Sequence, residues 1–369
     1  MKTTVPLLRS NLLLAICSVA IVLVAAELLL RARGAGGHRD LRTLHEVQPD
    51  RPWLYGLRPG AEARLDVSGD VLYRINADGF RDRVYARPKP AGVFRIAVLG
   101  DSIAFGYGVA ERDSFPERVE RAFAAHHGAD RIEVVNFGVN AYNAYNEAAL
   151  FEELAPAFEP DLVLVQFCVN DLNDPTLHFD SSTNRVLESI PSLAFPNPDA
   201  RQPPLPPRAS LSTVCDGLAL CTRLRLLFGD AANAPADAAA WKATFAPHDG
   251  PENVVEWRWL RDRYREIARA AAAEGGRLVV LAFPYQTQIR DETARLAQPE
   301  LARIGAEEDW ETIDLLAAFR DAARRTSEPL FLDVWHPTAA GHRAAADAIA
   351  RELACRGLVP VEPGAECAS

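Results

Sequence analysis

The sequence predicts an α/β fold built on a parallel sheet. Short apolar runs at Phe94–Leu99, Ile132–Asn136, Leu162–Phe167 and Leu278–Phe283 alternate with longer stretches of helical periodicity. The runs are largely apolar rather than strictly alternating, as strands must be when helices cover both faces of their sheet.

Taken in order, residues 1–33 read as an N-terminal signal or membrane anchor. Leu12 to Leu30 is apolar throughout except for Glu27, and at ~1.5 Å per residue it spans ~28 Å, close to a bilayer's hydrocarbon core. Lys2 and Arg9 supply a basic start, and Val24-Ala25-Ala26 offers small residues for cleavage. Leu28-Leu29-Leu30 carries the run past that point, so an uncleaved anchor through residues 12–30 is expected, with a cleaved signal as the alternative. Arg31, Arg33, Arg39 and Arg42 follow the run, which by the positive-inside rule opposes export. The cysteines favour it: Cys215 with Cys221, or Cys355 with Cys367, could bridge in an oxidising space. The body is therefore expected to be extracytoplasmic, periplasmic or at the cell surface, and secreted if the segment is cut.

Residues 34–92 form a lead-in with several prolines, an alternating stretch at Val71–Ile75 and a turn at Asp78-Gly79. The α/β pattern occupies 93–355. Its helices are expected near Ser114–His127, Asn143–Leu154, Glu256–Ala273, Asp291–Ile304 and Ala339–Ala354, with a last short strand at Thr312–Asp314. A proline-rich stretch at 172–255 interrupts the rhythm, as a solvated insertion or a cap over a site. Residues 356–369 are a tail.

Charge narrows the partners. The chain carries −10, while its first 42 residues carry a net +4, so the body is more acidic than the whole. No basic surplus exists to neutralise a phosphate backbone, and no nucleic-acid partner is expected. With 49% hydrophobic residues the chain can bury a large core, which excludes intrinsic disorder as a description of the whole. The histidines show no metal-ligand spacing, and no Gly-x-Gly-x-x-Gly or Gly-Lys-Ser/Thr follows a strand, so no cofactor is expected. The oligomeric state is not legible.

Four blocks carry chemistry. Gly100-Asp101-Ser102 follows the first strand of the sheet, at the carboxyl end where open parallel sheets bind ligands. A serine hydroxyl needs an adjacent base to attack, and Asp333-Val334-Trp335-His336 before the last helix supplies an imidazole with a carboxylate to orient it. Acyl transfer also creates a negative oxygen that requires fixed donors. Gly138, in Asn136-Phe137-Gly138, and Asn170, in Val169-Asn170-Asp171, fall after the second and third strands, where such donors belong.

Together these blocks resemble the SGNH, or GDSL-type, hydrolase superfamily across roughly residues 93–355, in a membrane-anchored bacterial form. The resemblance implies a flavodoxin-like three-layer α/β/α sandwich with a five-stranded parallel sheet. It implies Ser102, Asp333 and His336 as a triad, and an oxyanion hole from the Ser102 and Gly138 N–H groups with the Asn170 amide. Tyr73-Arg74-Ile75-Asn76-Ala77-Asp78-Gly79-Phe80-Arg81-Asp82 is similar to the stretch that precedes this domain in anchored members. Cys168 stands where the third block usually has glycine, which puts the placement of Asn170 at issue. The expected function is hydrolysis of an acyl ester, acetyl among the candidate acyl groups, on a small-molecule, lipid or carbohydrate substrate. The alternatives are an O-acyltransferase acting on envelope or extracellular polysaccharide, and a non-catalytic envelope protein that binds glycans or partner proteins.

Overall fold

In the computed structural model the described residues are Ser18, 21–26, 28–29, Cys367, and 44–362 without 49, 67–69, 128–130, 173–177, 181–184, 188–253 and 291–296. The chain forms two compact units, one of residues 1–39 with 199–236, the other of 40–198 with 237–369. In the first unit, Ser18, 21–26 and 28–29 are helical, and Ile21, Val22, Leu23, Val24, Leu28 and Leu29 are exposed. Among the described residues no helix is long and apolar enough to cross a membrane; the rest of the expected 12–30 span lies outside them, as does the 172–255 insertion apart from Leu172, two short strands and Val254-Val255.

The second unit is built on five parallel strands. They are β5 (Phe94–Leu99), β6 (Ile132–Asn136), β7 (Leu162–Phe167), β10 (Arg277–Ala282) and β11 (Glu311–Asp314). Their spatial order is β6-β5-β7-β10-β11, all neighbours parallel. This is the flavodoxin-like order, in which the chain reverses direction across the sheet beside its first strand.

Side-chain alternation divides each strand between two cores. Ile96, Val98, Leu162, Leu164, Val279 and Leu281 pack on one face with α2 (Phe115–His127), α7 (Leu316–Arg325) and α8 (Ala339–Cys355). Ala97, Leu99, Val163, Val165, Phe167 and Val280 pack on the other with α3 (Ala144–Phe158), α4 (Val254–Ala273) and α6 (Gln298–Glu308). Each helix offers an apolar stripe at turn spacing, such as Phe115, Val119 and Phe123 of α2 or Trp257, Leu260, Tyr264 and Ile267 of α4. Two short helices complete the unit, α1 (Ser102–Phe105) and α5 (Gln286–Arg290).

The lead-in contributes two antiparallel pairs, β1 (His45–Val47) with β2 (Tyr55–Leu57) and β3 (Glu62–Asp66) with β4 (Asp70–Arg74). Its Trp53, Tyr55, Tyr73, Ile75, Phe80 and Tyr85 share the core that also holds Leu99 and Phe137. A further pair, β8 (His178–Asp180) with β9 (Arg185–Leu187), lies at the start of the insertion. Cys355 at the end of α8 is bonded to Cys367, and Cys215 and Cys221 lie outside the described residues.

The strands fall within one residue of their expected bounds. Some helical assignments differ. α3 runs past the expected Leu154 to Phe158. α6 runs from Gln298 to Glu308, and 291–296 of its expected span lie outside the described residues. α7 was not legible: it has no side-chain cap at Leu315, and its buried residues are only Leu316 and Phe319.

Candidate active site

The site lies beyond the carboxyl ends of β5, β6 and β7, at the point where strand order reverses. After β5 the chain turns sharply at Gly100, where a Cβ would sit 2.6 Å from Gln166 Oε1 and 2.8 Å from Ala104 Cβ. Asp101 then caps α1, its Oδ1 accepting from Ile103 N at 2.9 Å. That cap leaves Ser102 as the first residue of α1, part-exposed, with its backbone N–H in the turn that has no intrahelical acceptor.

His336 stands on the loop before α8. Asp333 Oδ1 accepts from Trp335 N at 2.9 Å and His336 N at 2.8 Å, which closes a tight turn. The other oxygen, Oδ2, stands 2.6 Å from His336 Nδ1. Leu332 N donates to His336 O at 2.8 Å, and Gln286 N donates to Val334 O at 2.8 Å, so the loop is held from both sides. His336 Nε2 lies 2.8 Å from Ser102 Oγ. One carboxylate thus shapes the turn with one oxygen and orients the imidazole with the other. Burial alone would push the Asp333 carboxyl up, but the hydrogen bond and charge of His336 and the two backbone N–H groups outweigh it and hold the group below its usual value.

The expected oxyanion donors have partners in this structure. Gly138 N donates to Asn136 Oδ1 at 2.9 Å, and Asn170 Nδ2 donates to Tyr142 O at 2.6 Å. The second hydrogen of the Asn170 amide is not used by that bond. Glycine at 138 is required by close approach: a Cβ there would lie 2.5 Å from Phe105 N and 2.7 Å from the Ala104 carbonyl carbon. The 136–138 loop is therefore pressed against α1.

Cys168 is buried, and its backbone takes no positive φ, so the glycine usual at that position is not needed for chain shape. Its N–H donates to Asp171 Oδ2 at 2.9 Å, which fixes the Val169–Leu172 turn carrying Asn170. Burial, then the Asp101 and Asp171 carboxyls, push its thiol well above the ordinary range, so it is no competing nucleophile.

Gln166 escaped the sequence reading. Its Oε1 accepts from Asp101 N at 3.3 Å and Ala104 N at 3.2 Å, bracketing Ser102 from beneath. The signal was present: it is the single polar residue in an otherwise apolar strand. Tyr107, whose ring packs on His336 with centroids 4.5 Å apart, carried no such signal.

The profile of the GDSL-like lipase/acylhydrolase family matches residues 98–344, two thirds of the chain. The chain belongs to this family. It is an ester hydrolase, and the Gly100-Asp101-Ser102 block and the His336 loop both fall inside the matched span. No curated protein matches the acylhydrolase in sequence. Solved structures similar to it include LAE5, an alpha/beta hydrolase enzyme from the metagenome of Lake Arreo, at 17% identity, covering 74% of this chain and 99% of that one with a TM-score of 0.42. A catalytic mutant of Axe2, an acetylxylan esterase from Geobacillus stearothermophilus, is 17% identical, covering 70% and 94% with a TM-score of 0.41. A member of the lipolytic protein G-D-S-L family from Veillonella parvula is 12% identical, covering 69% and 96% with a TM-score of 0.39.

Proposed function

We propose that this acylhydrolase is a serine esterase that uses Ser102, His336 and Asp333 as a triad and acts on an acyl ester. The observation that carries the reading is the unbroken relay of 2.8 Å from Ser102 Oγ to His336 Nε2 and 2.6 Å from His336 Nδ1 to Asp333 Oδ2. Ser102 Oγ attacks the ester carbonyl while His336 Nε2 takes its proton; Asp333 stabilises the imidazolium. The carbonyl oxygen gains the electron pair and is received by the N–H groups of Ser102 and Gly138 and the Asn170 amide. For Gly138 this adds a second acceptor beside Asn136 Oδ1. The tetrahedral species collapses, His336 returns the proton to the leaving alcohol, and water releases the acyl group by the same steps in reverse.

The apolar helical residues between Ser18 and Leu29 and the Cys355–Cys367 bond support an exported body tethered through residues 12–30. The test is hydrolysis of acetyl to dodecanoyl p-nitrophenyl esters by the full chain in detergent, beside Ser102→Ala. Activity falling by about 10⁴-fold or more in a folded variant supports the triad. Turnover unchanged in that variant removes Ser102 from the mechanism.

A further inference from the structure

Residues 44–92 lie outside the span that the family profile matches. They nevertheless hold the loops on which the proposed serine chemistry depends. Arg81 is 2% exposed, and its hydrogen bonds go to backbone carbonyls rather than to a carboxylate. Nη1 donates to Phe105 O at 2.9 Å and Gly106 O at 2.6 Å, and Nη2 to Val109 O at 2.8 Å. The guanidinium lies 4.1 Å from the Tyr73 ring centroid, and Tyr73 stacks on Phe105 at 5.5 Å. The Tyr73 hydroxyl accepts from Gly108 N at 2.7 Å. Two lead-in side chains therefore pin the 105–109 loop at four backbone atoms, and that loop carries Tyr107 against the His336 ring.

The next residue does the same for the second loop. Asp82 Oδ2 accepts from Asn136 N at 2.8 Å, and Asn136 in turn donates to Ala104 O at 2.9 Å while accepting from Gly138 N. An apolar side chain in place of Arg81 would fill the space without the cost of burying a charge. What an apolar residue would not do is hold three backbone carbonyls at once, which the rigid guanidinium fork does.

We infer that Arg81, seated on Tyr73, is a positioning residue: it fixes the 105–109 loop so that Tyr107 holds the His336 imidazole on Ser102 Oγ. Asp82 holds the Asn136–Gly138 loop in the same way, so the lead-in is part of the active site. The inference rests on the serine-esterase reading.

Its test compares Arg81→Lys, Tyr73→Phe and the control Arg74→Ala in the full chain. Arg74 is exposed, and its side chain pairs with Glu62. Two readouts are taken, steady-state hydrolysis of p-nitrophenyl acetate and the rate at which a fluorophosphonate labels Ser102. Arg81→Lys is expected to lower kcat and labelling by about 10–100-fold with KM changed by less than about threefold, because misplacement rather than lost binding is the defect. Tyr73→Phe is expected to lower both by about 3–10-fold, and Arg74→Ala to leave both unchanged. Arg81→Lys with a lower Tm but wild-type kcat overturns the inference and leaves the esterase reading standing. Should Arg81→Lys not fold, Tyr73→Phe decides, and wild-type kcat there overturns it too. A wild-type chain that neither hydrolyses nor is labelled sinks the esterase reading, and the inference with it.

Discussion

The two ends of the central sheet are built on opposite terms. At the amino end, Arg95 is fully buried and fully paired. It donates to Glu133 Oε2 at 2.6 and 2.9 Å, to Phe158 O at 2.9 Å and to Ala86 O at 3.0 Å. Lys89 Nζ meets Asp161 Oδ2 at 2.6 Å, and the same oxygen accepts from Arg95 N at 2.7 Å. None of these side chains leaves a buried polar atom without a partner. At the carboxyl end, Arg81 Nε, both Glu147 carboxyl oxygens, Gln166 Nε2, Asn170 Oδ1 and Asp171 Oδ1 are buried without one. Local satisfaction marks the amino end; unmet polar capacity marks the end that carries the candidate site.

Substitutions at the two ends should separate activity from stability. The largest effect is expected from Asp333→Asn, which keeps the turn-forming acceptor but loses the charge that orients His336. Its kcat should fall by about 10³–10⁴-fold, with Tm changed by less than ~3 °C, as read from ester hydrolysis and thermal melts. A kcat within tenfold of wild type would remove Asp333 from the triad. At the opposite end, Glu133→Ala strands the Arg95 charge. Loss of one partner of a buried pair costs about 3–5 kcal/mol, discounted here to roughly 2–3 because Glu133 is 20% exposed. Denaturant unfolding should show that loss while kcat per folded molecule stays at the wild-type value. A matching fall in kcat would erase the distinction between the ends.

Glu147→Gln sharpens the comparison through pH. Burial, with Asp171 and Asp101 nearby, raises the Glu147 carboxyl well above its usual value, so the folded protein keeps a proton that the unfolded chain releases. Stability from this group is complete below the unfolded carboxyl range near ~4.3 and is lost as pH rises toward the folded value. The amide cannot ionise. The variant should therefore gain Tm relative to wild type on going from pH 5 to pH 8, by ~2–4 °C for each kcal/mol recovered. A Tm difference independent of pH would show that Glu147 does not titrate with folding. The smallest effect is expected from Cys168→Gly. It should cost about 1–2 kcal/mol in lost burial and added chain freedom, with kcat changed less than threefold. A larger fall in kcat would mean that the buried thiol helps to place Asn170.

The sheet was legible because both of its faces are buried, which writes each strand as a mostly apolar run between turn residues, broken only by single polar residues such as Arg95 and Gln166. Ser102, Asp333 and His336 were legible because local chemistry places them: a cap at Asp101, and a turn closed by Asp333 itself. Arg81 and Asp82 were not. In sequence a charged pair after Gly79-Phe80 reads as solvated, and its burial is decided by carbonyls up to 28 residues downstream and by the backbone of Asn136. The bond of Gly138 N to Asn136 Oδ1 was equally hidden, since it joins two residues that each look like turn formers.

The Ser102–His336 contact spans 234 residues of sequence. At ~5–20 residues per second, a ribosome needs about 10–50 s to travel from Ser102 to His336. During that interval the nascent chain carries a serine with no imidazole beside it. On the serine-esterase reading proposed above, activation would be a late event in the life of each molecule, coupled to docking of the loop before α8. A chain interrupted upstream of Asp333 would then be silent toward esters, however well its earlier strands have paired.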